Sequence, residues 1–223
     1  MQIFKQFVSK LPNRWQIELK RLHYARQIKK NRFVTDEPEY KILHRLINPG
    51  DWVIDVGANV GHYTKKFSEL VGPQGRVIAL EPIPITFSLL SANTLMFTYP
   101  NVTLINAAAS NESGVVYMSI PKAPTGLTDY YQAHISSDVE NTLMVFAISL
   151  DSLNIDHPIA LVKIDVEGHE ASVLAGMRNL IEAWHPVLIV ETGSQEVISH
   201  LKELGYSAER LKNSPNVLFK PKV

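Results

Sequence analysis

Cysteine is absent from the 223 residues of this chain. Disulfides, zinc sites built on thiolates and thiol nucleophiles are therefore excluded. No apolar run reaches the roughly 18 residues that a membrane-spanning helix needs. Lys5 and Lys10 interrupt the start too early for the apolar core of a signal peptide. We therefore expect a cytoplasmic protein without a transmembrane segment.

The chain also lacks net charge, but its charges are unevenly placed. Residues 1–32 carry nine Lys or Arg and one acid, Glu18, whereas the remainder carries 13 basic and 21 acidic residues. An enzyme that acts on nucleic acid usually presents a basic field on its main face. The acidic main part therefore disfavours that class.

The basic leader shows apolar residues at helical spacing on both sides of Pro12, with Trp15, Leu19 and Leu22 after it. We interpret it as a helical cap or an oligomer interface. The alternative is a segment that touches a membrane surface or an anionic acceptor. Residues 1–40 are accordingly assigned to a helical extension and residues 41–223 to the main domain.

Apolar strands alternate with helical patterns from Trp52 onward. The predicted strands are residues 52–56, 76–80, 102–105, 159–164 and 187–190, and the predicted helices are 61–71, 85–96, 169–181 and 195–204. This alternation predicts an α/β fold with a parallel sheet covered on both faces. Residues 115–120 and 142–148 resemble a strand pair around a polar loop near the site. Residues 206–210 and 216–220 resemble a C-terminal antiparallel hairpin.

A glycine-bearing turn follows the first predicted strand. In open α/β sheets, ligands bind beyond the carboxyl ends of the strands. Gly57 allows a close approach to the backbone, and Gly61 begins a helix whose amides face an anionic group. The dinucleotide fingerprint fails here, because Asn59 and His62 stand where it needs glycine. The pattern instead favours S-adenosylmethionine, with a tight turn that binds no ligand as the alternative.

The next two strands also end in candidate binding residues. Glu81 lies 24 residues after Gly57, where an acid can accept both ribose hydroxyls of a nucleoside. The alternative is a solvated carboxylate at a strand end. The third strand ends at Asn106 and Ala107, and small residues there would admit the edge of an adenine ring. A packed turn explains them equally well.

A third cluster follows the strand at residues 159–164. Asp165, Glu167 and His169 place titratable groups within five residues of each other at the same edge of the sheet. This pattern indicates general acid–base chemistry. The alternative is helix capping by Glu167 with exposed His169 and Glu170.

Residues 54–63, 80–82, 149–153 and above all 163–170 (Lys-Ile-Asp-Val-Glu-Gly-His-Glu) resemble the FkbM-type methyltransferases. The resemblance runs from about residue 50 to residue 192. It implies a Rossmann-like, doubly wound, seven-stranded, mostly parallel sheet with S-adenosyl-L-methionine as methyl donor. It also implies O-methylation of a hydroxyl on a small-molecule, sugar or glycan acceptor. By position, the cofactor-binding residues would be Asp55, Gly57, Ala58, Asn59, Gly61, Tyr63, Glu81, Pro82, Asn106, Ala107 and Asp165.

The resemblance further implies that Asp165, Glu167 and His169 face the reacting centre. His169 and Glu167 are the candidate bases for the acceptor hydroxyl, whereas Asp165 would contact the cofactor or orient its neighbours. We expect no metal. Two other functions stay open: a nicotinamide-dependent oxidoreductase on a similar sheet, which the failed fingerprint disfavours, and a catalytically inactive nucleoside-binding module.

Overall fold

The structure, a computed structural model, describes residues 11–121, 130–136 and 142–222. The helices are α1 (Asn13–Lys29), α2 (Pro38–Ile42), α3 (His62–Val71), α4 (Pro84–Thr94), α5 (Glu170–Ala175), α6 (Arg178–Trp184) and α7 (Gln195–Glu203). The strands are β1 (Trp52–Val56), β2 (Arg76–Leu80), β3 (Val102–Ile105), β4 (Ala108–Ala109), β5 (Gly114–Ser119), β6 (His134–Ile135), β7 (Leu143–Ile148), β8 (Ile159–Ile164), β9 (Val187–Glu191), β10 (Tyr206–Glu209) and β11 (Asn216–Pro221). The start of the leader and most of the predicted polar loop lie outside the described residues.

Seven strands form the main sheet in the order β10-β11-β9-β8-β1-β2-β3. Strands β3, β2, β1, β8 and β9 pair in parallel, and β11 is antiparallel to both β9 and β10. The chain order thus reverses at β1, with β2 on one side and β8 on the other. The predicted Rossmann-like sheet and its C-terminal hairpin are confirmed.

Alternate residues of the central strands feed two separate cores. Ile54 and Val162 pack with α5, α6 and α7 on one face, whereas Val53 and Leu161 pack with α3 on the other. The strands are apolar throughout because helices cover both faces. Parallel strands with helices on both sides bring their carboxyl ends to one open edge of the sheet.

A second sheet of four strands, in the order β4-β7-β5-β6, stands beside this edge. It contains the predicted strand pair, in which Val115 lies opposite Phe146. Two short strands, β4 and β6, join it without a sequence signal of their own. The predicted helix over 169–181 is instead two helices, α5 and α6. A Cβ on Gly176 would lie 1.9 Å from the carbonyl oxygen of Ser110, so the chain packs closely on the second sheet at the break.

Helix α1 packs against α4, and Ile28 and Phe33 form a small core there with Val60 and Leu89. Trp15, Leu19 and Leu22 of the leader are exposed, so this part of the predicted stripe does not pack into the core. Across the described ranges, no helix has the length and apolar character needed to span a membrane.

Candidate active site

A cleft opens at the carboxyl ends of β2, β1, β8 and β9, with the second sheet as its outer wall. The structure brings eight of the predicted residues to its lining: Gly57, Asn59, Glu81, Pro82, Ala107, Asp165, Glu167 and His169. Five others do not line it: Asp55, Ala58, Gly61, Tyr63 and Asn106.

The turn after β1 forms the floor of the cleft. Gly57 has a φ of +76°, and a Cβ there would lie 1.8 Å from the backbone oxygen of Asp165. A side chain at this position would therefore collide with the end of β8. Asn59, with φ +50°, is also left-handed, and its side-chain Oδ1 is buried with no hydrogen-bond partner among the described residues. The floor thus offers an unsatisfied acceptor to a ligand.

The carboxylate of Glu81 is anchored at the end of β2. Its Oε2 accepts a hydrogen bond from the amide of Asn59, and its Oε1 accepts one from the amide of Ile83, each at 2.9 Å. Burial raises the pKa of Glu81 to about 7, although the two amide hydrogen bonds partly oppose this. The side chain is only 5% exposed, so a ligand that reached it would replace little water.

Asn106 and Ala107, the two residues predicted to contact the adenine edge, have different positions in the structure. The side-chain amide of Asn106 donates to the backbone oxygens of Glu81 and Pro82, at 2.8 and 3.1 Å, and so supports the cleft from behind. Ala107 lines the cleft itself, together with the alanines of β4. These small side chains leave a flat wall next to Glu81.

Asp55 lies under the floor. It is 1% exposed, and its Oδ2 accepts a hydrogen bond from the hydroxyl of Thr64 at 2.6 Å. Burial raises its pKa to about 6, although Lys163 pulls in the other direction. The structure therefore gives Asp55 a position that braces the turn after β1 against α3.

Tyr63 points away from the floor as well. Its hydroxyl donates to Oε2 of Glu37 at 2.6 Å, and its ring lies under the ammonium of Lys163, 4.6 Å from the nitrogen to the ring centre. Ala58 and Gly61 are buried in the turn. A Cβ on Gly61 would meet the Leu90 side chain at 2.7 Å, so Gly61 serves the packing of α3 on α4.

A charged group spans the ends of β8 and β9. The ammonium of Lys163 lies 2.7 Å from Oδ2 of Asp165 and is almost completely buried. Burial disfavours the charged form of Lys163, but the carboxylates of Asp165 and Asp55 outweigh it, and the pKa of Lys163 is raised. On the other side lies Glu191, and burial, followed by the charge of Asp165, raises the pKa of Glu191 to about 7.

Glu167 and His169 occupy the rim. Glu167 is exposed with φ +49°, and its Oε1 accepts a hydrogen bond from the side-chain amide of Gln132 at 3.1 Å. The Nε2 of His169 lies 2.9 Å from the hydroxyl of Ser110, which itself donates to Asn111 at 3.1 Å. Burial lowers the pKa of His169, although Glu170 opposes this. The imidazole is therefore neutral at neutral pH.

The sequence reasoning missed several residues at the site, among them Glu37, Ser110 and Glu191. Glu191 carried a usable signal, because it ends an apolar strand in the same way as Glu81 does. Ser110 and Glu37 carried none, since nothing local marks either as part of a cleft. Within the described ranges, no group of three or more His, Asp or Glu side chains is arranged to hold a metal.

Comparison with known proteins identifies a family whose domain matches this chain. Residues 55–208 match the methyltransferase FkbM domain. The hexuronic acid methyltransferase AglP of Haloferax volcanii is 29% identical over 178 residues, which cover 77% of this chain and 70% of that protein. The 31-O-demethyl-FK506 methyltransferase FkbM of Streptomyces tacrolimicus is 28% identical over 162 residues, which cover 60% of this chain and 62% of that protein.

Solved structures agree on the fold. The methyltransferase FkbM structure from Methylobacillus flagellatus superposes with a TM-score of 0.55 and 16% identity, covering 81% of this chain and 50% of that one. A methyltransferase from Geobacter sulfurreducens gives 0.52 and 14% identity over 96% and 92% of the two chains. The chain spans only part of the Streptomyces and Methylobacillus proteins. Since the family domain matches more than half of its residues, this chain belongs to the FkbM methyltransferase family.

Proposed function

We propose that this chain is an S-adenosylmethionine-dependent O-methyltransferase that acts on a hydroxyl of a small-molecule, sugar or glycan acceptor. The match to a methyltransferase family confirms the predicted cofactor class. The observation that carries the rest is the cleft in which Gly57, Glu81 and Asp165 meet at adjoining strand ends. Membership of a methyltransferase family also disfavours the nicotinamide-dependent alternative.

The residues present fit the cofactor. Gly57 allows the turn after β1 to pack against the end of β8 at the floor of the cleft, Asn59 presents an unsatisfied buried oxygen, and Glu81 presents a buried carboxylate beside an alanine wall. Gly57, Asn59 and Glu81 would hold the cofactor, Glu81 at the ribose and Ala107 at the adenine. When bound, the cofactor would supply a methyl group on a positively charged sulfur. That sulfur leaves as a neutral thioether and needs no protonation.

The protein's own contribution to the reaction is alignment and proton removal. The second sheet forms the outer wall of the cleft, and the acceptor oxygen must sit in line with the methyl group. The Ser110 hydroxyl is placed to donate to Asn111, and we therefore assign to His169 the tautomer in which Nε2–H donates to Ser110. The ring nitrogen Nδ1 is then unprotonated and able to accept the acceptor's proton.

Glu167 is the second candidate for the base. It lies at the same rim but is exposed and hydrogen-bonded to Gln132. A carboxylate in water is a weaker base than a neutral imidazole at neutral pH. We therefore assign proton removal to His169 and acceptor orientation to Glu167.

The acceptor class is proposed from the relatives. AglP is named for hexuronic acid, and the Streptomyces protein for a demethylated oxygen of FK506. Relatives named as ribosomal RNA methyltransferases match shorter stretches, such as 73 residues of the Methanothermobacter thermautotrophicus protein, 30% of this chain. A hydroxyl on a sugar or a natural product is thus the better-supported acceptor.

The test is a methyl-transfer assay with labelled S-adenosylmethionine. Hexuronic acid glycosides, other sugars, polyketide alcohols, ribosomal RNA and a peptide mixture would be compared as acceptors. We expect label on a hydroxyl oxygen of a carbohydrate or polyketide. Label on RNA or on nitrogen would contradict the O-methyl assignment, and tight cofactor binding without transfer to any acceptor would favour the inactive module.

A further inference from the structure

Residues 33–39, called the strap below, cross the start of α3 before the chain enters the main sheet. The ring of Phe33 stacks on His62, with centres 4.1 Å apart. Glu39, only 1% exposed, accepts hydrogen bonds from Ser214 at 2.7 Å and from Asn216. The strap is thus tied both to α3 and to β11, and it lies outside the matched family domain, which begins at residue 55.

Glu37 projects from the strap into the lining of the cleft. Its Oε1 accepts a hydrogen bond from Thr35 at 3.0 Å, and its Oε2 accepts bonds from Tyr63 at 2.6 Å and Asn216 at 3.3 Å. These donors hold the carboxylate in one orientation. A carboxylate oxygen accepts about two hydrogen bonds, so Oε1, which accepts one, retains capacity for a ligand, whereas Oε2 already accepts two.

The charges around Glu37 favour a cation. Glu37, Asp165 and Glu191 line one end of the cleft, and Lys163 balances Asp165 through their ion pair. In the described part of the chain, neither Glu37 nor Glu191 forms a salt bridge. This end of the cleft therefore carries more negative than positive charge.

The order of the strands indicates which part of the cofactor reaches this end. Ala107 follows β3 and Glu81 follows β2, so adenine and ribose lie on that side. The rest of the molecule then crosses the Gly57 turn at β1 toward Asp165 at β8. The amino-acid portion, with its α-ammonium and carboxylate groups, is the part that arrives beside the strap.

We propose that Glu37 binds the α-ammonium group of the cofactor, so that the strap completes the cofactor site. This inference rests on the proposed function. The cofactor's own carboxylate would then lie on the side away from Glu37 and Asp165. Repulsion from Glu37 and Asp165 disfavours the reverse orientation.

The test compares two ligands on two variants by calorimetry, so it needs no turnover. S-adenosylhomocysteine carries the ammonium group, whereas 5′-methylthioadenosine lacks the amino-acid portion. We expect Glu37→Gln to weaken S-adenosylhomocysteine binding roughly tenfold or more, as for a hydrogen bond between charged groups. Binding of 5′-methylthioadenosine should change by less than about twofold on the same free-energy scale.

The matched control is Asp36→Asn. Asp36 is an exposed acid on the same strap, and its replacement by Asn removes one negative charge, as Glu37→Gln does. It should leave the affinities for both ligands unchanged. Unchanged S-adenosylhomocysteine binding in Glu37→Gln would overturn the proposal. An equal loss for both ligands would also overturn it, since it would show that Glu37 only supports the shape of the cleft.

A third variant separates direct binding from orientation. Tyr63→Phe removes the hydroxyl that bonds Glu37 but keeps the carboxylate, so it should weaken S-adenosylhomocysteine binding less than Glu37→Gln does. A larger loss in Tyr63→Phe would overturn direct binding by Glu37. If the unaltered protein bound neither ligand, the proposed function itself would fail, which is a distinct outcome.

Discussion

Oε2 of Glu81 accepts a hydrogen bond from the backbone amide of Asn59 at 2.9 Å, which joins the end of β2 to the turn after β1. The two residues are 22 positions apart in the chain. This bond fixes the Glu81 carboxyl group against the glycine turn at the floor of the cleft.

The first prediction concerns cofactor affinity. Glu81→Ala removes the buried carboxylate that we propose accepts the ribose hydroxyls, so S-adenosylhomocysteine affinity should fall by a factor of about ten to one hundred, as for other charge-assisted hydrogen bonds. Calorimetric titration measures this directly. Glu203→Gln, an exposed acid on α7, is the control and should bind normally. Normal binding by Glu81→Ala would remove the ribose assignment.

The second prediction concerns stability and pH. Glu81 has a pKa of about 7 when folded and an ordinary value of 4.5, so between these values the folded state binds a proton that the unfolded chain has lost. The free energy of unfolding of the ligand-free protein should therefore fall through this window as pH rises, by up to about 3 kcal/mol from this group.

Urea unfolding of the wild type and Glu81→Gln at pH 5.5 and pH 8 measures this effect. The variant cannot ionise at position 81, so its stability should decline less between the two pH values. The comparison cancels the opposite trend from His62, whose pKa burial lowers to about 4 and which is common to both proteins. Parallel pH profiles would show that Glu81 is ionised in the folded state.

The third prediction concerns the base. His169→Ala should lower kcat by roughly a hundredfold to ten-thousandfold, the usual contribution of a general base, and should change S-adenosylhomocysteine affinity by less than about twofold. Burial lowers the pKa of His169 below 6.5, the ordinary pKa of histidine. The value of kcat should therefore stay constant as the pH falls to 6.5 and decrease only at lower pH. Steady-state kinetics across pH would check both statements.

Ser110→Ala is the companion variant. It removes the group that holds Nε2 of His169, so kcat should fall less than in His169→Ala and the pH at which activity declines should move. Full activity in His169→Ala would transfer the role of base to Glu167, for which Glu167→Gln is the next variant.

The fourth prediction concerns the floor of the cleft. Gly57→Ala places a methyl group 1.8 Å from the Asp165 backbone oxygen at φ +76°, so it should destabilise the protein by more than about 3 kcal/mol through strain and displacement of the β8 end. Gly205→Ala, with φ +89° and nothing within 4 Å of a Cβ, isolates the backbone cost of about 1–2 kcal/mol. Chemical denaturation compares the two. Equal losses would mean that the close approach to Asp165 can relax.

The amino-acid sequence by itself determined the sheet and the edge at which the cleft opens. The strands at 52–56, 76–80 and 159–164 are buried on both faces, and their continuous apolar runs can be recognised in the sequence alone. Parallel strands then bring Gly57, Glu81 and Asp165 to one edge. Local composition suffices here because each residue directly follows its own strand.

Only the tertiary structure decided which side chains enter the cleft. Tyr63 follows the glycine turn closely but turns toward Glu37, whereas Glu37 itself reaches the cleft from a segment that precedes β1. Ser110 meets His169 across 59 positions, and the close approach of Gly176 to Ser110 accompanies the break between α5 and α6. These outcomes depend on contacts between distant segments, whose energies do not appear in the local pattern of either one.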